Sequence, residues 1–481
     1  MDFTLRVNCV RFIAIISCLM LLPWLFPAQA AAAPKLAWPA GGIKVSGFSL
    51  DATSHNAQAV GDGEGNFVVL WHCSWGSRRS LVAQKLNKAG QLLWGAEGVE
   101  VIETTAEVKT AKLVNLGSGE VGIVWDCWST EEKVMTFAQK LDRAGQKLWH
   151  PDGVFVIAAG GSYFSPDAVP DGSGGILVAL TAYEDPRFRN DILAQRIGGI
   201  GKRMWGNSGV LVSANIADQV VPRLITNGEG GVVVAWVDYR NGINNADIYA
   251  QKIDREGNTV WELNGVEVCR AADTQQNLQL VPDNANGAII VWEDNGTGNY
   301  DIFAQRLNAA GVAQWKEDGV LVCGTFGDQK GPQIFSDGMG GVLAVWQDYR
   351  LKGWNIIAQH LDGLGRRLWE EDGIPVCFEL GTQSSPRLIG SGQDSYLVAW
   401  EDYRSQKNFA VYAQSIDGMG QTGWDQNGIL VSGKNGSARQ PALARDSGDK
   451  SCLVVWDAFL PEGRGICAQK IVNAAPGKVK N

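Results

Sequence analysis

The sequence predicts an all-β fold, an eight-bladed β-propeller of four-stranded antiparallel blades whose ring is closed by an N-terminal strand completing the last blade. Three observations predict it. The dipeptide Ala-Gln marks eight copies, with glutamines at Gln84, Gln139, Gln195, Gln251, Gln305, Gln359, Gln414 and Gln469, an internal period of 54–56 residues. Each copy carries four short apolar runs parted by glycine-rich turns, and helical periodicity is largely missing. The pattern Gly-x3-Trp-x3-Gly accompanies the first seven copies, around Trp94, Trp149, Trp205, Trp261, Trp315, Trp369 and Trp424, but not the eighth. Its counterpart stands at the other end of the chain, in Trp38-Pro-Ala-Gly-Gly42-Ile43-Lys44-Val45, which makes strand exchange across the ring the natural closure and a flat solenoid the poorer alternative.

The copy around Gln251 shows how each element is read. Its first strand is expected over Val220 to Thr226, ending in the turn Asn-Gly-Glu-Gly-Gly (227–231). Glycine there supplies the positive φ that tight turns need. Val232 to Trp236 is apolar without alternation, the pattern of a strand covered on both faces. Asp247 to Ile253 and Gly265 to Cys269 are the third and fourth strands, joined through the Gly257 turn and Trp261. Blades of this kind stack their Val, Ile and Trp faces on both neighbours, and full burial of one such side chain contributes about 1.5–3 kcal/mol.

Residues 1–30 read as a signal peptide: Arg6 and Arg11, an apolar core from Phe12 to Phe26, and Ala28-Gln29-Ala30 as a cleavage site. Pro23, Pro27 and that site favour cleavage over a retained anchor. Residues 31–481 then form a single propeller domain, with a latch strand at about 36–46, a tail at about 473–481 and no later membrane span. Formal net charge is −9 over 481 residues and no basic patch stands out, which excludes nucleic acid as the expected partner. Cys269, Cys323 and Cys377 occupy one position in consecutive copies, so they are read as small buried hydrophobes. Cys452 and Cys467, on neighbouring strands, are the one pair considered for a disulfide. No metal-ligand cluster or cofactor motif is present, so neither is expected.

The repeat GG-x-hydrophobic-W-x-D-x-R, D-I-Y-A-Q, G-x3-W-x2-D/N-G-V, matched by Gly231, Trp236, Asp238, Arg240, Asp247, Ile248, Tyr249, Gln251, Gly257, Trp261, Asn264 and Gly265, resembles that of uncharacterised secreted bacterial β-propeller repeat proteins. The resemblance covers about residues 38–472 and implies the fold, with no established activity; residues 473–481 do not match the sorting domain that ends many relatives, so surface attachment by that route is not expected. A weaker similarity is to quinoprotein-like eight-bladed propellers, through Asp254-Arg-Glu-Gly257-x3-Trp261, one residue shorter than their turn. The adjacent cysteines of quinone-dependent dehydrogenases have no counterpart, so that activity is not carried over. Non-enzymatic members imply that such propellers serve as docking scaffolds.

Second-to-third loops and the links between blades are longer and more varied than the other turns, and both sets fall on one end of a propeller. That face carries the ligand-binding candidates Asp238, Tyr239, Arg240, Asp348, Tyr349, Arg350, Asp402, Tyr403 and Arg404, with Trp75, Trp128 and Trp354, and nearby Tyr183 and Phe459. Aromatic faces beside Arg and Asp suit sugar rings or protein side chains. The structural reading of the same residues is that Asp caps loop amides and Arg pairs with a neighbouring blade's carboxylate. Two loops depart from the pattern, Glu184-Asp185-Pro186-Arg187-Phe188-Arg189 and Asn295-Gly296-Thr297-Gly298-Asn299. A second set, Gln58, Lys112, Asp167, Arg223, Gln279, Gln333 and Arg387, holds one position in the first strands, with Ala442 in the eighth copy. It reads either as a polar ring near the channel or as solvation of an apolar strand.

GxSxG, HExxH, P-loop, sialidase-type Asp boxes and DxDxDG calcium loops are all absent. The expectation is therefore a monomeric, secreted or cell-envelope, non-enzymatic propeller that binds protein or carbohydrate on its variable-loop face. The alternatives are an extracellular polysaccharide hydrolase or lyase, with carboxylates such as Glu184 or Asp185 as general acid or base, and an envelope assembly scaffold.

Overall fold

In the computed structural model, residues 35–472 are described apart from 48–50, 129–132, 159–160, 184–188, 352, 393 and 448–450. The expected signal peptide, the tail and the Glu184–Phe188 stretch lie outside the described residues. Every described element is a strand, and the strands form eight sheets, each paired in the order first-second-third-fourth from the inside out. Blade 4 comprises Gln219–Thr226, Val232–Asp238, Asp247–Ile253 and Val266–Cys269. The second strand runs two residues further than its apolar stretch indicates. The buried carboxylate of Asp238 is charge-paired there, so a polar residue can end a buried strand.

Blade 8 has three strands of its own, Ser437–Arg445, Cys452–Leu460 and Gly463–Val472. The outer place is filled from the other end of the chain. Lys35–Leu36 pairs with Val472 and Ile471, and Ile43–Lys44 with Ala468 and Cys467. Ile43 therefore stands where Val266 stands in blade 4, opposite the Ala of Ala-Gln. The latch is a strand exchange, as its Trp-x3-Gly spacing predicts.

The core is eight apolar clusters, one between each pair of adjacent blades, including the pair of blades 8 and 1. At its centre the second strands bring in Trp71, Trp125, Trp236, Trp292, Trp346, Trp400 and Trp456, each at most 2% exposed, with Leu180 in blade 3. The glycine opening the fourth strand makes room for this ring. At Gly265, φ is +88° and an added Cβ would strike the Trp236 ring; Gly42 plays that part against Trp456.

Two polar contacts repeat around this apolar frame. The Ala-Gln glutamine is fully buried in all eight blades. Gln251 Oε1 accepts the backbone N–H of Trp261 at 2.8 Å, and its Nε2 donates to the carbonyl of Glu262 at 2.7 Å. The same Trp then docks on the next blade, Trp261 Nε1 donating to Ala309 O at 3.1 Å. One motif thus ties its own outer turn to the inner sheet and one blade to the next.

The cysteine pair considered above is not bridged. Cys452 faces Ile471 and Cys467 faces Trp456, so the two are several residues out of register on their strands, and no disulfide joins them.

Candidate functional site

Six of the loop-face candidates form one clamp that recurs in three blades. Asp238 is fully buried at the end of its strand, and the Arg240 guanidinium grips both its oxygens, Nε to Oδ1 at 2.9 Å and a second nitrogen to Oδ2 at 2.6 Å. That second nitrogen also caps the carbonyl of Asn264 at 2.8 Å, and the guanidinium lies 3.6 Å over the Tyr249 ring. Asp348 with Arg350, and Asp402 with Arg404, repeat the bidentate pair and cap Asp372 O and Asn427 O. Arg therefore pairs within its own blade, not with a neighbour's carboxylate. The reason is spacing: two residues beyond the strand end, the side chain folds back on the carboxylate it just passed. The tyrosines between them differ: Tyr239 is half-buried against the core, Tyr349 is 43% exposed and tilted over Trp354 at 5.1 Å, and half-buried Tyr403 lies 4.8 Å from Phe409. Trp75 is exposed at a hairpin tip of blade 1, and Trp128 in blade 2 lies beneath Lys109.

The first-strand set keeps one register. Gln58, Lys112, Asp167, Arg223, Gln279, Gln333 and Arg387 each pair with the residue just before the second-strand Trp or Leu. Several tie adjacent inner strands together. Gln58 bonds both Ala111 O and Leu113 N–H of the next blade, and Asp167 accepts Leu224 N–H while pairing with Lys112 at 3.1 Å.

A cleft of about 380 Å³ opens on the loop face where blade 8 meets blade 1. It is built on a feature that alignment of the apolar runs passes over. The residue after the second-strand Trp is polar in most blades and holds a bulge in the next blade's first strand. Glu293 accepts Gly331 N–H at 2.7 Å, Glu401 accepts Gln440 N–H at 2.8 Å, and Asp457 accepts Asn56 N–H at 3.0 Å. Asn56 and Gln440 adopt left-handed φ of 56° and 52° to present those amides. Around Asp457 the walls are His55, Arg439, Gln440, Phe459 and Arg464. Arg464 lies over the Phe459 ring at 4.9 Å, and Arg439 pairs with buried Glu401 at 3.1 Å and covers Phe409 at 4.3 Å. Tyr403, Phe409 and Arg439 therefore make a track leading from blade 7 into the cleft. Of the sequence-predicted residues, only Tyr403 and nearby Phe459 join this site. His55, Arg439, Asp457 and Arg464 were not singled out; the signal for Asp457 was the polar residue that follows the Trp of most second strands.

Electrostatics separate the cleft from its surroundings. Burial pushes the Asp457 carboxyl up to about 6, against the two backbone N–H groups it accepts. Burial, with the nearby charges of Arg464 and Arg79, lowers His55. His72, whose ring is 5.5 Å from His55, is lowered to about 4 by burial. The cleft thus sets a carboxyl raised by burial beside the His55 imidazole, which burial lowers, so each group is pushed toward its neutral form. Among the described residues no group of three or more His, Cys, Asp and Glu is placed to hold a metal ion.

The chain is, then, an eight-bladed β-propeller with a polar cleft at the seam of its ring. No protein-family model matches it, and no curated relative does. Solved structures similar to it share little sequence. An ulvan lyase of polysaccharide lyase family PL25 is 12% identical, with a TM-score of 0.46 over 78% of this chain and 96% of that one. Polysaccharide lyase Uly1 is 9% identical, with a TM-score of 0.45 over 80% and 93%. A puromycin-hydrolyzing peptidase of Mycobacterium tuberculosis is 12% identical, with a TM-score of 0.44 over 94% of this chain and 64% of that one. These are likenesses of fold at most, and no activity passes from them to this chain.

Proposed function

We propose that this is an exported propeller, allied to secreted bacterial propeller-repeat proteins, that binds a glycan or protein on its variable-loop face without turning it over. The cleft between blades 8 and 1 is the pocket assigned to that binding. That cleft is the observation that carries the reading: an aromatic face, Phe459, beside the guanidinium of Arg464 and the Arg439–Phe409–Tyr403 track. Such a wall suits a sugar ring that bears a carboxylate or sulfate, with the ring on the aromatic face and the anion on the guanidinium. Export rests on residues 1–30 alone. Titration of the protein with uronate-containing and neutral oligosaccharides tests the reading. Arg464→Ala is expected to weaken binding of the acidic ligands at least tenfold with the fold intact; equal affinity in the variant removes the cleft from the binding site.

A second reading, a polysaccharide hydrolase or lyase, is favoured by one observation, the Asp457 carboxyl near pKa 6 in a cleft beside His55. Turnover of an acidic polysaccharide that Asp457→Asn abolishes would establish it; binding without turnover in the wild type removes it.

A further inference from the structure

Blade 5 lacks the cation that its neighbours carry. In blades 4, 6 and 7 the second strand ends on a buried Asp, and two residues later an Arg neutralises it. In blade 5 the Asp remains, as Asp294 at 5% exposure, but the Arg position is Gly296. Directly opposite Asp294 in the strand register is a second acid, Asp301, at 3% exposure. Blades 6 and 7 have neutral Asn355 and Ala410 in that place. Blade 4 has Asp247, but Asn241 donates to it at 2.7 Å and Arg240 stands on its neighbour. Among the described residues, no Lys, Arg or His pairs with Asp294 or Asp301.

The hydrogen bonds leave the same gap. Asp294 accepts Gly296 N–H at 2.9 Å with the Gln275 amide also against it, and the Trp292 indole N–H reaches it only at 3.5 Å, where Asp238 receives its Trp at 2.8 Å. Asp301 Oδ2 accepts the Thr297 hydroxyl at 2.9 Å, but Oδ1 is buried without any partner. Gln275, in register with Asp294 on the first strand and fully buried, leaves Oε1 buried and unpartnered, as Gln329 does in blade 6, so the orphan peculiar to blade 5 is Asp301 Oδ1. Register neighbours on antiparallel strands share a sheet face, so Gln275, Asp294 and Asp301 lie side by side on one face. A buried carboxylate oxygen with neither a donor nor a counter-charge is costly, and such groups are paired or coordinate metals.

We infer that the loop of blade 5 binds a hard divalent cation, of the Ca²⁺ class, held by Asp294, Asp301, Gln275 and the Thr297 hydroxyl where other blades hold a guanidinium. The donor set is all oxygen, which selects Ca²⁺ over the metals that favour nitrogen and sulfur. Two carboxylates balance a divalent ion's charge. The irregular run Asn295–Asn299 is, on this inference, the ligand-bearing form of a loop that elsewhere needs only its Arg.

The test uses the whole chain, stripped with EDTA and titrated with CaCl₂, with Tb³⁺ luminescence and thermal unfolding as independent readouts. Wild type is expected to bind one ion and to gain a concentration-dependent rise in unfolding temperature. Asp301→Asn should weaken Ca²⁺ at least tenfold. Gly296→Arg, which rebuilds the clamp of blades 4, 6 and 7, should fold without the ion and show no Ca²⁺-dependent shift. A folded wild type that neither shifts with Ca²⁺ nor sensitises Tb³⁺ overturns the inference, as does unchanged affinity in Gly296→Arg.

Discussion

Trp38 donates its backbone N–H to Oε1 of Gln469 at 3.0 Å, across 431 residues of chain. Gln469 in turn donates to Pro39 O at 3.0 Å and accepts Lys470 N–H at 3.0 Å, so the ring's closure hangs on the same side chain that organises every other blade. Gln469→Leu takes the acceptor from the buried Trp38 N–H, while Pro39 O keeps Gly42 N–H at 2.9 Å, and a buried group stranded in this way costs about 1–3 kcal/mol. The urea midpoint should fall accordingly, and deletion of residues 38–45 should fall further and lose solubility. Unchanged stability in the deletion would remove the latch.

Gly42→Ala is expected to cost about 1–3 kcal/mol. Its φ is +79°, and a Cβ would meet Ala468 O and the Trp456 ring. Gly76→Ala is the control, since φ is +56° there but no atom lies near the added Cβ. Calorimetry should rank Gly42→Ala well below Gly76→Ala; equal losses would mean that backbone strain alone acts at both.

Arg404→Ala strands the carboxylate of Asp402, which is 1% exposed, and breaking such a buried pair from one side costs about 3–5 kcal/mol. The double variant Arg404→Met with Asp402→Asn should recover a large part of that loss. Failure of the double variant to recover would show that the guanidinium's contacts with Asn427 O and Tyr412 matter more than the ion pair.

Acid stability should split between two groups, Asp457 in the cleft and His72 behind His55. Asp457 is raised from 3.8 to about 6, so between those values the folded state keeps a proton the unfolded state has lost, and stability falls as pH rises. His72 is lowered from 6.5 to about 4, so the unfolded state binds the extra proton and stability rises with pH through that window. Each effect is on the order of 3 kcal/mol, and in the wild type they oppose. Asp457→Asn should leave stability rising steeply from pH 4 to 6.5, and His72→Gln should leave it falling; denaturant melts at half-unit pH steps read both.

The buried thiols should resist alkylation in the native state. Burial pushes Cys269, Cys323 and Cys467 up to about 12, so almost no thiolate is present at neutral pH. Iodoacetamide labelling with mass spectrometry should modify them only on unfolding; rapid native labelling of Cys467 would show that the latch opens.

The architecture was legible because it is written eight times. A period of 54–56 residues, a Trp missing from one end and a match at Trp38 suffice to define blades and closure. The site was legible only in part. Asp238, Arg240 and their repeats stand out as motifs because they are structural and therefore repeat, and the cleft escaped because it is unique to one seam. Its members, His55 from blade 1 and Arg439, Asp457 and Arg464 from blade 8, are brought together by ring closure, and no local pattern joins them. Gly296 carries the opposite lesson, since the departure of one residue from a repeated clamp is visible in sequence, while its meaning needs the buried, unpartnered oxygen of Asp301.

Strand exchange also sets an order in time. Residues 35–44 find their partner only when residues 463–472 exist, so a chain made from its N-terminus holds an unpaired strand through almost all of its synthesis, about 20–90 s at 5–20 residues per second. Blades 1 to 7 can stack as they emerge, each on the one before, but the last interface waits for both ends. The propeller is therefore an open arc until its final strand arrives, exposed through that interval to proteases and to premature pairing with a second copy.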